Sequence, residues 1–275
     1  MSVLAIESPS DIASALTGRD YISYSAISTY QACPLRYYFR YIAKLPEKTV
    51  SAALIFGGAI HRAVELHFRE VMAGNPAPDL DMMLAEYQTA WAERDDSVQV
   101  QFGKGESLDT LGQLAERMIA ALQQSDFAAG GGKIIGVEEE LRSSIVPGCP
   151  ELLARVDLIS ETEDELIATD LKTARSRWSQ SQVDSSAGQL LIYSELARNL
   201  APGKKLHLRF VVVTKAKQPS VDSHDVAVDP ARIVRTKRTV QRVWQSIEAQ
   251  QFYPAPSPLN CAACPFKEPC RRWQG

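Results

Sequence analysis

The chain has 275 residues, 45% of them hydrophobic and 23% charged, with a net charge of −3. That length is enough to bury one large core or two small ones, and the slight acidity excludes nucleic-acid attraction by global charge, leaving only local basic patches. No apolar run approaches the ~20 residues that span a bilayer, and the start MSVLAIESPSD lacks the parts of a signal peptide. A cytoplasmic, non-membrane protein is therefore expected, with its five cysteines as ligands or free thiols.

Residues 1–22 read as a short lead-in with few constraints. Ser25 is placed to cap a helix, AISTYQAC, and Pro34 opens LRYYFRYIAKL. There Arg36, Arg40 and Lys44 interleave with Tyr37, Tyr38, Phe39 and Tyr41. Such interleaving suits a nucleic-acid surface, or an amphipathic helix with its aromatics packed inward, which is the favoured reading. Gly57 and Gly58 are expected to end an extended piece before the helix AIHRAVELHFREVM. His61 falls on its first turn; His67, six residues on, does not share its face as an i, i+4 metal pair would. GNPAPD at 74–79 is a loop, followed by two scaffold helices, MMLAEYQTAWAER and LDTLGQLAERMIAALQQS. IIGVEEELRSSIV at 134–146 reads as a strand with Glu138 and Glu140 on one face and Glu139 on the other. These are expected as solvated charges, one of which could approach the carboxylates that follow. Cys149, in the turn PGCPE, reads as a spare thiol.

The stretch 152–173 carries the strongest local signal. LLARVDLIS and ELIATDLKT, separated by an acidic turn at 161–164, predict a β-hairpin. Each strand sets one carboxylate in apolar company, Asp157 and Asp170. Lys172 is on the same strand face as Asp170. Burying these charges is costly unless they pair or hold a cation, so the pattern is a candidate divalent-metal site with a lysine beside it.

RSRWSQSQVDSS is polar, basic and expected to be mobile. The helix AGQLLIYSELARNL then puts Gln189 and Tyr193 on one face at i, i+4. KLHLRFVVVTK (205–215) is a β-branched strand whose Lys215 and Lys217 could reach a phosphate or guard a sheet edge. A long helix over 229–251 has Ile233, Val240, Val243, Trp244 and Ile247 as its buried stripe, and Arg232, Arg235, Lys237, Arg238 and Arg242 as the most concentrated basic face. Finally, Cys261-x2-Cys264-x5-Cys270 is strongly metal-like. A fourth thiolate must be Cys33 or Cys149, and thiolate count alone leaves zinc and an iron–sulfur cluster both open.

In this order CPLRYYFRYI, FGGAIHRAVE, RVDLI, DLKT, GQLLIYSEL and CAACPFKEPC resemble the PD-(D/E)xK nuclease superfamily. More narrowly, they resemble its RecB-like branch with a four-cysteine iron–sulfur cluster, which includes the AddB nuclease domain and CRISPR-associated exonucleases. The resemblance covers about residues 23–272. It implies an α/β (α+β) fold: a central mixed β-sheet of the restriction-endonuclease-like type flanked by helices, with an N-terminal helical part and a C-terminal Cys-cluster tail. Residues 1–22 would be the lead-in and 23–275 one nuclease domain, with a helical insertion at about 74–130 and a cluster tail at about 254–275.

The resemblance also implies roles. His61, Asp157, Asp170 and the Leu171 carbonyl would hold Mg²⁺ or Mn²⁺, with Lys172, Gln189 and Tyr193 joining Asp157 and Asp170 in catalysis. The family's glycine two residues before the first aspartate is here Arg155. Cys33, Cys261, Cys264 and Cys270 would hold a [4Fe-4S] cluster, with zinc as second choice, leaving Cys149 outside. The implied activity is metal-dependent hydrolysis of DNA, exonucleolytic on single-stranded or end-containing substrates, in recombination, repair or CRISPR adaptation. The alternative is a catalytically silent nuclease fold kept for DNA or partner binding. No GxxxxGK[ST] occurs, so unwinding would need a helicase or a CRISPR or recombination partner.

Overall fold

The computed structural model describes residues 8–198, 200 and 202–275. Its elements run α1 (Pro9–Thr17), β1 (Tyr21–Ser23), α2 (Tyr24–Ala32), α3 (Pro34–Tyr37), β2 (Thr49–Ser51), α4 (Ala52–Met72), α5 (Leu80–Ala92), β3 (Gln99–Gln101), α6 (Leu108–Gln123), β4 (Lys133–Ser143), β5 (Glu151–Glu161) and β6 (Glu165–Ala174). Then follow α7 (Gln180–Ser186), α8 (Gly188–Ala197), β7 (Lys205–Thr214), β8 (Val221–Val226), α9 (Pro230–Glu248), α10 (Pro258–Ala262) and α11 (Lys267–Arg271). The architecture is the expected mixed α/β one, with a central mixed sheet flanked by helices. The chain forms two compact units, and β4 and β5 each contribute residues to both.

The larger unit comprises Thr49–Glu140 and Arg155–Asp229. Here β5 pairs antiparallel with β6, β6 parallel with β7, and β7 antiparallel with β8. A parallel pair must be covered on both faces, which is why β6 and β7 read as near-continuous apolar runs. One face packs against Phe56, Ile60, Val64 and Phe68 of α4 and Leu111, Met118 and Ile119 of α6, all buried together with Leu158, Leu171, Val211 and Val213. The predicted hairpin is present, with Leu158–Thr169 and Glu161–Leu166 in register.

Three expectations in this unit are corrected. Gly57 and Gly58 do not end an extended piece; they lie inside α4, which starts at Ala52 because the Ser51 hydroxyl accepts the Leu54 N–H. RSRWSQSQVDSS is half helical, since Ser179 and Gln182 form a reciprocal capping box that starts α7. Lys215 and Lys217 do not guard an edge, because β7 lies between β6 and β8. Asn199, at the end of the helix expected over 187–200, falls outside the described residues.

The smaller unit comprises Met1–Lys48, Leu141–Ala154 and Pro230–Gly275. The lead-in is more ordered than its sequence suggests: α1 has a Ser8–Asp11 capping box, and β1 pairs parallel with Glu151–Leu153 of β5. The cap of α2 is Ser23, two residues before the expected Ser25. The aromatic segment after Pro34 packs inward, as favoured: Tyr37 and Phe39 are buried, and rings of Tyr38, Phe252, Phe266 and Trp273 surround them. Helix α9 buries the predicted stripe.

Candidate active site

The hairpin's ladder stops at Leu158–Thr169, immediately before Asp157 and Asp170. Beyond it the Leu171 N–H donates to Asp157 Oδ2 (2.7 Å), so a side chain takes the amide that would otherwise seek a strand partner. Across this opening α4 presents His61, whose Nδ1 lies 3.5 Å from Asp157 Oδ2 and 4.0 Å from Glu138 Oε1. Among the described residues, His61, Glu138 and Asp157 form the one group offering three ligand atoms within 4.8 Å of one another. The Leu171 backbone faces the same imidazole.

Glu138 is the ligand candidate that sequence reading did not commit to. The expected alternation, with Glu138 and Glu140 on one face of β4, is broken: Gly136 and Val137 are both buried, Glu139 and Glu140 both exposed. The cause is a local kink, Glu138 standing at φ +52° in a conformation that glutamate rarely adopts. Glu138 is thereby turned toward His61. The only hint in the sequence was that one glutamate of the acidic strand 134–146 could approach the Asp157 and Asp170 carboxylates. Arg155, the departure from the family's glycine, bonds Glu140 (2.7 Å) and sits 3.9 Å from Glu138.

Asp170 is 1% exposed. The Lys172 ammonium stands 2.7 Å from its Oδ2 but off the line of a hydrogen bond, so the two pair by charge. Lys172 donates its hydrogen bond to Gln189 Oε1 (3.1 Å), and Gln189 Nε2 donates to Tyr193 Oη (2.5 Å). Helix α8 thus links the predicted Gln189 and Tyr193 to the predicted Asp170 and Lys172. His67 stays apart, buried and 2.9 Å from the Ala128 carbonyl.

The electrostatics follow from three carboxylates near two cations. Burial, with Asp170 and Glu138 adding to it, holds the Asp157 carboxyl well above the ordinary range. Burial also raises Glu138, and it depresses His61, so the imidazole favours its neutral, ligating form. Tyr193 is pushed up by burial and by Asp170. Imidazole, carboxylates and the unsatisfied Asp170 oxygen are a donor set suited to a hard divalent cation.

A sequence profile of the PD-(D/E)XK nuclease superfamily matches residues 21–271. The chain belongs to that superfamily. A proposed exonuclease from Eubacterium rectale has a similar solved structure, with a TM-score of 0.58 at 13% identity over 93% of this chain and 88% of that one. That likeness speaks to the PD-(D/E)XK fold alone. A second solved structure, that of SSO0001, reaches a TM-score of 0.34 at 17% identity, covering 80% of this chain and 84% of that one. No curated protein matches.

The four cysteines of the PD-(D/E)XK chain named as cluster ligands gather in the smaller unit. Cys33 ends α2, Cys261 lies in α10, Cys264 follows it and Cys270 lies in α11. Cys33, Cys264 and Cys270 pack against Leu35, Phe39 and Phe266, and Cys33 Sγ accepts the Ala255 N–H at 3.5 Å. Burial, then the charges of Cys33, Cys264 and Cys261, raise the Cys270 thiol. Cys149 is buried elsewhere in the unit, its thiol pushed up to about 12 by burial and Glu248. Among the described residues, no helix is long and apolar enough to cross a membrane.

Proposed function

We propose that this protein is a divalent-cation-dependent deoxyribonuclease that hydrolyses phosphodiester bonds at DNA ends or in single strands, in recombination, repair or CRISPR adaptation. The convergence of His61, Glu138 and Asp157 beside the buried Asp170–Lys172 pair carries this reading. Mg²⁺ or Mn²⁺, when bound, would supply an activated water and charge neutralisation at the phosphate. His61, Glu138, Asp157, Asp170 and the Leu171 carbonyl are the groups that would hold it. Lys172 presents a fixed ammonium to the charge that develops on the phosphate. Gln189 orients it by accepting from Lys172 at one end and donating to Tyr193 at the other, which leaves the Tyr193 proton free for the substrate.

Cys33, Cys264 and Cys270 pack against one apolar cluster of Leu35, Phe39 and Phe266, which supports a shared metal centre. Its proposed occupant is a [4Fe-4S] cluster, with zinc as the second choice. Anaerobically purified protein is expected to be brown, with visible absorption; a colourless protein with stoichiometric zinc overturns the cluster.

The deciding assay is degradation of end-labelled single- and double-stranded DNA with Mn²⁺, Mg²⁺ or EDTA, comparing wild type with Asp170→Ala and Lys172→Ala. Cutting that needs the cation and disappears in both variants is expected. Absence of cutting by cluster-loaded wild type on every substrate would leave a fold that binds without catalysis.

A further inference from the structure

Lys215 follows the last residue of β7, and its N–H donates to the Ala174 carbonyl (2.6 Å) at the end of the strand that carries Asp170 and Lys172. Its ammonium sits 4.7 Å from the centroid of Phe56, on the helix that bears His61. Phe56 and His61 are five positions apart on α4, about 7.5 Å along the helix axis. Among the described residues, no carboxylate lies within ion-pair distance of this half-buried ammonium. Burial lowers its pKa, Glu106 raises it and the like-charged Arg175 lowers it again. The Glu106 carboxylate is itself engaged by the Gly103 N–H at 2.7 Å. Arg177, two residues beyond Arg175, is by contrast 3.4 Å from the Asp222 carboxylate. Holding a cation partly out of water beside another cation is unfavourable unless an anion arrives. The edge-guarding role is excluded by the internal position of β7.

We propose that Lys215, with Arg175 beside it, binds a non-scissile backbone phosphate of the nucleic-acid strand and so holds the strand across the His61–Asp157–Asp170 opening. This rests on the nuclease reading for the identity of the anion. Phe56 fixes the ammonium by its ring face, so the contact is preformed and reads no base.

The test uses the full chain as Asp170→Asn, in EDTA, with fluorescein-labelled single-stranded DNA. Lys215→Gln is expected to weaken binding several-fold and to flatten the slope of log K against log [KCl] by about 0.7, the contribution of one phosphate contact on a single strand. Lys215→Arg is expected to restore both. In the active protein, Lys215→Gln is expected to raise KM and leave kcat largely intact. Unchanged affinity and slope in a Lys215→Gln protein that melts like its parent overturns the proposal. Should that variant fail to fold, acetic-anhydride labelling of the Asp170→Asn protein decides: Lys215 is expected to be shielded by DNA, and equal labelling with and without DNA overturns the site. Shielding of Lys215 in a protein whose wild type cuts nothing supports the phosphate site and removes the nuclease reading. Cutting without shielding does the reverse.

Discussion

Gln189 is the residue on which the order of the site turns. Its amide is polar at both ends, and the two contacts it makes, from Lys172 and to Tyr193, are satisfied in only one orientation. Gln189→Glu keeps the acceptor for Lys172 and loses the donor to Tyr193; Gln189→Ala loses both. Cleavage is expected to slow in both variants, by about 10–100-fold in Gln189→Ala as for other orienting partners. An unchanged kcat in a Gln189→Ala protein that melts like its parent would make Gln189 a packing residue. Cys149 supports a prediction remote from the chemistry. Burial, then Glu248, pushes its thiol up to about 12 in the fold, against 9.0 as the ordinary value. Between those pH values the unfolded chain loses a proton that the folded one keeps, so stability falls as pH rises, by roughly 1.4 kcal/mol per unit. Cys149→Ala is expected to flatten that alkaline slope in urea titrations at pH 9–11, whatever it does to stability at pH 7.

At the scale of elements, the kink in β4 is the local irregularity that completes the candidate ligand group. Residues held at positive φ cost on the order of 1–3 kcal/mol unless they are glycine. In an unstrained strand alanine is the more stable replacement by roughly 0.5–1 kcal/mol. At Glu138 the order is expected to invert: Glu138→Gly should melt above Glu138→Ala, while both lose cation affinity measured by calorimetry with Mn²⁺. Alanine melting higher would show the kink to be unstrained. Helix α4 serves the same opening from the other side. Gly57, one turn before His61, keeps the helix near β6, where a Cβ would stand 3.5 Å from Thr173 Oγ1. A substitution larger than alanine there is expected to lower activity through His61 placement.

At the scale of the molecule, two of the cysteines proposed as cluster ligands, Cys33 and Cys261, are 228 apart in sequence (261 − 33) and lie in one compact unit. The proposed centre, by tying them, would restrict the unfolded chain by on the order of 5 kcal/mol on loop-closure reasoning. Cys33→Ser and Cys261→Ser are each expected to bleach the visible absorption and lower the melting temperature by several degrees. Cys149→Ser should not affect the absorption. Loss of colour without loss of stability would deny the centre a structural role.

Alternation and apolar runs sufficed for the hairpin and for the buried stripe of α9, because those signals repeat along the chain within a few residues. Residue type alone marked Asp157, Asp170 and Lys172 as a candidate cation site, while His61, Gln189 and Tyr193 joined it only through the resemblance to the nuclease superfamily. Local chemistry also marked the cysteine tail as metal-like. The starts of α4 and α7 rest on local caps, Ser51 and the Ser179–Gln182 box, that the sequence reading missed, whereas the internal position of β7 was settled by strands distant in sequence. The turning of Glu138 into the site belongs to the same class: a single positive φ changes which face a strand residue occupies, and no pattern of period two announces it. Only the tertiary structure brought α4, β4 and the open end of β5–β6 together, because like-charged carboxylates converge only where a packed core on all sides holds them against their repulsion.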